Sequence, residues 1–122
     1  VARKHVTKPT KIIDAGDISG NLTSTVVNVE NLDKGSIHVE WSGTSPVGTI
    51  TVEARNRNPQ DNTTTPPWIE LNFGSTISVS GNTGDHQLIF NELPFTEFRV
   101  QYVATSGTGS ITATTTLKTV GA

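Results

Sequence analysis

Apolar residues in this chain recur at every second position, in one short run after another. SIHVEWS sets Ile37, Val39 and Trp41 on one face and His38 and Glu40 on the other. TITVEAR does the same with Ile50, Val52 and Ala54 against Thr49, Thr51, Glu53 and Arg55. WIELNF places Ile69, Leu71 and Phe73 opposite Trp68, Glu70 and Asn72, and STISVS alternates through Ile77 and Val79. HQLIF offers Leu88 and Phe90, or Ile89 in the other register. EFRVQYVAT supplies Phe98, Val100, Tyr102 and Ala104, and SITATTTLK supplies Ile111, Ala113 and Leu117, with Thr115 among them. LTSTVVNVENL adds a strand near Val26 to Val29, and KIID a short leading one. A period of two is the signature of a half-buried strand, and no stretch carries the 3.6-residue period of a helix. Twenty threonines strengthen the reading, because β-branched side chains lose rotamer freedom in helices and fit pleated surfaces.

Turn chemistry separates the runs: SGTSPVG, NRNPQDNTTTPP, SGNTGD and SGTG. Seven to nine short strands joined in this way argue for an all-β, single-domain antiparallel β-sandwich of jelly-roll-like character. The expected core includes Ile37, Val39, Trp41, Ile50, Val52, Leu71, Phe90, Phe98, Val100 and Tyr102. One domain suits 122 residues, which can bury about two-thirds of their unfolded surface without staples. The absence of cysteine removes disulfides, thiol nucleophiles and Cys–zinc sites. No apolar run is long enough to span a bilayer as a helix, and Val1-Ala2-Arg3-Lys4 has no apolar signal-peptide core.

A net charge of −2 argues against a global field for nucleic acid. The distribution is less even. Arg3, Lys4, Lys8 and Lys11 put four of the nine basic residues into the first eleven positions, with no acid and with Pro9. Residues 1–11 are therefore expected to form a basic, extended arm ahead of a sandwich at 12–122. The arm is either a solvated terminus or a segment that docks on an acidic neighbour.

Candidate chemistry is sparse. SGTG lacks the helix and the Lys-Ser/Thr pair of a phosphate loop, so Gly107 and Gly109 are expected to bend a hairpin between the last two strands. The Thr-rich final strand then reads as an edge, with Thr112, Thr114 and Thr116 on a face open to a neighbour. His5, His38 and His86 lack partners for catalysis or metal binding, although His38 and Glu40 share a face. DAGDISGN clusters Asp14, Asp17, Ser19 and Asn21; Asx turns explain it as well as calcium would. Glu40, Glu53 and Glu70 project outward, yet nothing marks a cleft for paired carboxylates. No catalytic, cofactor or metal site is expected. Trp68, after Pro66-Pro67, is either a contact aromatic or a cover for the sandwich beneath the 56–67 loop, and that loop is either a bland insertion or a contact surface.

A family resemblance joins these pieces. The order IDAGDISGNLTSTVVNVENLDKGSIHVEWSGTSPVGTITVEARN, then WIEL, then LPFTEFRVQYVATSGTGSITATTTLK resembles small β-sandwich proteins encoded beside structural genes of tailed bacteriophages and related viruses of bacteria. The shared features are Asp14-Ala15-Gly16, Leu32-Asp33, Gly43-Thr44 with Gly48-Thr49, and Arg99-Val100-Gln101-Tyr102 with Thr105 to Gly109. The resemblance covers residues 12 to 118; the NRNPQDNTTTPP segment departs from it. It implies a virion component, a capsid decoration or other small head or tail protein. Such a protein is oligomeric, non-enzymatic and free of cofactor, and is assembled in the bacterial host cytoplasm. Its partners would be other virion subunits, the major capsid protein first, with no specific nucleic acid and no membrane. Arg3, Lys4, Lys8, Lys11 and Trp68 are the expected subunit contacts. The competing expectation is a carbohydrate-binding or adhesin module on the same sandwich, with Trp68 as the glycan platform.

Overall fold

The computed structural model describes residues 3–57, 65–72 and 77–121, so the centre of the 56–67 loop and Phe73 lie outside the described residues. Those described form strands and no helix. In order they are β1 (Arg3–Val6), β2 (Thr10–Asp17), β3 (Leu22–Thr23), β4 (Val27–Asn28), β5 (Lys34–Arg55), β6 (Ile69–Glu70), β7 (Ile77–Val79), β8 (Thr83–Phe90) and β9 (Glu97–Gly121). Most are short, as the turn spacing implies. β5 and β9 are not: they run 22 and 25 residues. The two pair antiparallel from Lys34 opposite Lys118 to Arg55 opposite Glu97. β1 to β4 flank β9, and β6 to β8 flank β5.

This long ribbon folds back on itself. Phe90 pairs with Gly35 near one end of β5, and Phe98 pairs with Ala54 near the other. A straight strand would hold those ends about 60 Å apart at ~3.3 Å per residue. The rings of Phe90 and Phe98 instead lie 5.9 Å apart, each within 6.3 Å of Phe95. The halves of the ribbon therefore face each other as two layers. The first sheet runs β2, the second half of β9, the first half of β5, β8. The second runs β3 and β4, the first half of β9, the second half of β5, β6 and β7. Four long antiparallel paths, each bent to serve both sheets, make a jelly roll.

The bend corrects two expectations at once. SGTG is not a hairpin: Phe98–Ala104 and Ile111–Leu117 belong to one continuous strand, and both pair with β5. SGTSPVG likewise does not reverse the chain. It forms a bulge in β5 opposite SGTG, with register shifts between Thr44, Val47 and Gly48. Ser45 and Gly107 take positive φ angles of 46° and 86° there. A Cβ on Gly107 would run into the Ser45 carbonyl, and one on Gly43 into the Thr108 carbonyl, so these glycines serve close backbone approach as much as φ freedom. Asn82 braces the corner: its carbonyl accepts from Gly43 N at 2.8 Å and its Oδ1 from Ser45 N at 2.8 Å. The bulge also shifts the parity of burial, from Ile37 and Val39 to Ile50, Val52 and Ala54, so both halves keep their apolar side inward.

One apolar cluster fills the space between the sheets. Of the expected core, Ile37, Val39, Ile50, Val52, Phe90, Phe98, Val100 and Tyr102 are buried. Trp41 and Leu71 are only partly buried, at the margins of the cluster. Ile69, expected inward, is 61% exposed because β6 is a two-residue edge at the open end of the sandwich. The second half of β9 is not an edge either, since β2 and β5 pair with its two sides.

Hydroxyl side chains repair the breaks in the outermost path. Between β1 and β2, Thr7 Oγ1 accepts from Leu117 N and donates to Leu117 O, both at 3.0 Å. Between β3 and β4, buried Ser24 accepts at Oγ from Val100 N at 2.8 Å, and its own N donates to Val100 O. Asn21 Oδ1 accepts from Ala104 N at 2.9 Å. Short polar side chains thus stand in for missing ladder partners, as buried backbone groups require.

Candidate functional site

The jelly roll sorts the expected contact residues onto two sheets. Arg3 and Lys4 stand on β1, opposite Gly121 and Val120 of the chain's own last strand. Lys8 is exposed between β1 and β2. Lys11 lies within β2, exposed, with Nζ 3.6 Å from Asp14 Oδ1. The boundary expected after residue 11 thus falls inside a strand of the first sheet. Trp68 directly precedes β6 and lies against the second sheet, and the structure does not unite it with the basic residues.

Trp68 covers a charge ladder that no sequence motif announced. On the outer face of the second sheet Arg55 Nε donates to Glu97 Oε1 at 2.9 Å, and Arg99 Nε donates to Glu53 Oε1 at 2.8 Å. The four side chains retain only 12–24% exposure. The Arg55 and Arg99 guanidinium carbons sit 4.1 and 4.5 Å from the centre of the half-buried indole. Cation–π attraction under partial desolvation contributes about 1–2 kcal/mol per contact. The signal was present in the sequence as Glu53-x-Arg55 and Glu97-x-Arg99. Paired antiparallel, the two triplets set each acid opposite a base, but the pairing has to be known first.

The outer face of the first sheet is built differently. Its rows cross β8, β5 and β9: Ile89, Ser36, Thr116; Gln87, His38, Thr114; Asp85, Glu40, Thr112; Thr83, Ser42, Ser110. Thr112, Thr114 and Thr116 do point outward here, as interior members of the sheet. Near the bend the face dips into a groove of about 480 Å³ lined by Glu40, Trp41, Ser42, Asp85 and Thr112 among others. Lys34 and Lys118 stand opposite each other at the far end.

Other candidates dissolve into local structure. Asp17 Oδ1 accepts from Ser19 N at 2.9 Å and from Ser19 Oγ at 2.7 Å. These bonds hold the Asp17 carboxyl below its ordinary pKa, and they make the segment an Asx turn. Glu53 is engaged by Arg99 and faces Glu70 across β5 and β6, while Glu40 lies on the other sheet. His38 Nε2 is 3.9 Å from Asp85 Oδ2. Among the described residues no three His, Asp or Glu side chains gather as a metal-ligand set.

No protein-family model matches the chain, and no curated protein matches it. Among solved structures it is similar to a chain from the structure of infectious bursal disease virus Gx strain, with a TM-score of 0.58 and 14% identity. The likeness covers 98% of this chain and 33% of that one, so this chain spans about a third of its length. SPBc2 prophage-derived protein YomS is matched over 98% of this chain and 96% of its own, with a TM-score of 0.47 and 12% identity. At 14% identity the first likeness establishes a shared fold.

Proposed function

We propose that this chain is a structural subunit of a bacterial virus particle, a decoration or stabilising protein of the head or a small tail component. It acts by binding neighbouring subunits, the major capsid protein first, and not by catalysis. It is made in the host cytoplasm and resides in the virion. The observation that carries this reading is the topology. Four bent antiparallel paths form a jelly roll, an architecture recurrent in viral shells and in lectins, and the same fold extends over 98% of this chain in a virus structure. The two outer faces and the β1–β2 edge offer the contact surfaces such a subunit needs, and residues 1–11 remain the proposed basic docking arm. Trp68 counts against the lectin reading, because its ring is engaged by Arg55 and Arg99 rather than standing free for a sugar.

The test adds purified full-length chain to particles stripped of it and measures co-sedimentation. Because β1 and β2 belong to the first sheet, charge reversal of Arg3, Lys4, Lys8 and Lys11 is a cleaner probe than deletion. Binding to particles, weakened at least about tenfold by the reversal, is the expected result. No co-sedimentation, together with Trp68-dependent binding on a glycan array, would replace this reading with the lectin one.

A further inference from the structure

The outer face of the first sheet carries two like-charged pairs that the fold itself does not neutralise. Lys34 stands opposite Lys118, and Glu40 opposite Asp85. Like charges directly opposite on a sheet are destabilising. Among the described residues Lys34, Lys118 and Glu40 have no ion-pair partner, and Asp85 has only His38 at 3.9 Å. Lys11 and Asp14 on neighbouring β2 are paired with each other. The face is therefore basic at one end and acidic toward the bend, with about 20 Å between the two pairs at ~3.3 Å per residue. Between them lie the small side chains of Ser36, Thr114 and Thr116 together with His38 and Gln87. One large apolar group stands out: Ile89, 69% exposed.

We infer that this face docks a second copy of the chain, turned by a two-fold axis that lies in the face and crosses the strands. That operation sets each strand against its own copy with the rows reversed. Lys34 of one copy then meets Glu40 of the other, twice per dimer as an isologous contact requires, with Asp85 one strand to one side of that meeting point and Lys118 one strand to the other. Ile89 of each copy comes over the partner copy's Gln87, beside its His38. Charge complementarity selects this occupant, since one rotated copy satisfies both ends at once. The patch is on the order of 500 Å² per copy from strand spacing and rise. That is below the ~800 Å² per partner of a standard interface, so affinity in the tens of micromolar is expected. The inference builds on the reading of a subunit that binds neighbours, and names one of them.

Sedimentation equilibrium of the full chain from about 10 to 500 μM tests it. The wild type is expected to dimerise, less so at 0.5 M salt, where the Debye length falls to about 4 Å. Lys34→Glu with Lys118→Glu, and separately Glu40→Lys with Asp85→Lys, should each weaken self-association at least about tenfold. An equimolar mixture of the two variants should form a heterodimer tighter than the wild-type dimer. Circular dichroism melts confirm that all variants fold. A monomeric wild type at the highest concentration overturns the inference. So do charge variants that associate as the wild type does, or a mixture that stays monomeric. Particle co-sedimentation of the same variants separates the two readings: retained particle binding by a chain that never dimerises removes this interface and leaves the virion role standing.

Discussion

Tyr102 buries a hydroxyl that finds no hydrogen-bond partner among the described residues. The residue is 1% exposed and its ring packs on Gly48. Burial alone raises its pKa above the ordinary tyrosine value. An unsatisfied buried hydroxyl costs about 1–3 kcal/mol, so Tyr102→Phe should leave stability unchanged or raise it by about 1 kcal/mol in urea unfolding. A loss of that size would mean that Oη is satisfied after all. Gly107 is the opposite case. Its φ of 86° and the adjacent Ser45 carbonyl exclude a side chain, and Gly107→Ala should cost about 2 kcal/mol or more. An unchanged midpoint would show that the bend does not depend on that residue.

At the scale of elements, the ladder beneath Trp68 makes a sharper claim about pairing. Removing one member of a largely buried ion pair leaves a stranded charge, so Glu53→Arg or Arg99→Glu alone should destabilise by about 2–4 kcal/mol. The double exchange should recover most of the loss, because it restores opposite charges at the same register. Additive losses would contradict the β5–β9 register in the second sheet. The same ladder explains what was legible beforehand. Alternation identifies Ile37, Val39, Ile50, Val52, Phe98 and Val100 as inward because each side chain's face follows from its own neighbours. The joining of runs does not follow in that way. Ser-Gly-Thr-Gly has the composition of a hairpin turn and also of a bulge. What separates the two is whether the flanking runs pair with each other or with a third strand, which is information from more than 40 residues away. The Glu-x-Arg triplets were unread for the same reason. Trp68 was legible as outward-facing, and its two arginine neighbours were not.

The whole molecule presents two outer faces of different character. One is closed by its own charge ladder and indole. The other is flat, rich in hydroxyls and polarised from Lys34 and Lys118 to Glu40 and Asp85. A jelly roll leaves such faces free because its core lies between the sheets, and under the proposed virion role they are the surfaces for neighbouring subunits. The proposed role makes this chain part of a virus particle. Quantitative mass spectrometry of density-banded particles from the producing bacterial host tests it most directly. The chain is expected to band with the particles at a fixed molar ratio to the major shell protein and to stay with them through a second gradient. A chain found in the unbanded soluble fraction, absent from particles of full density, would contradict it.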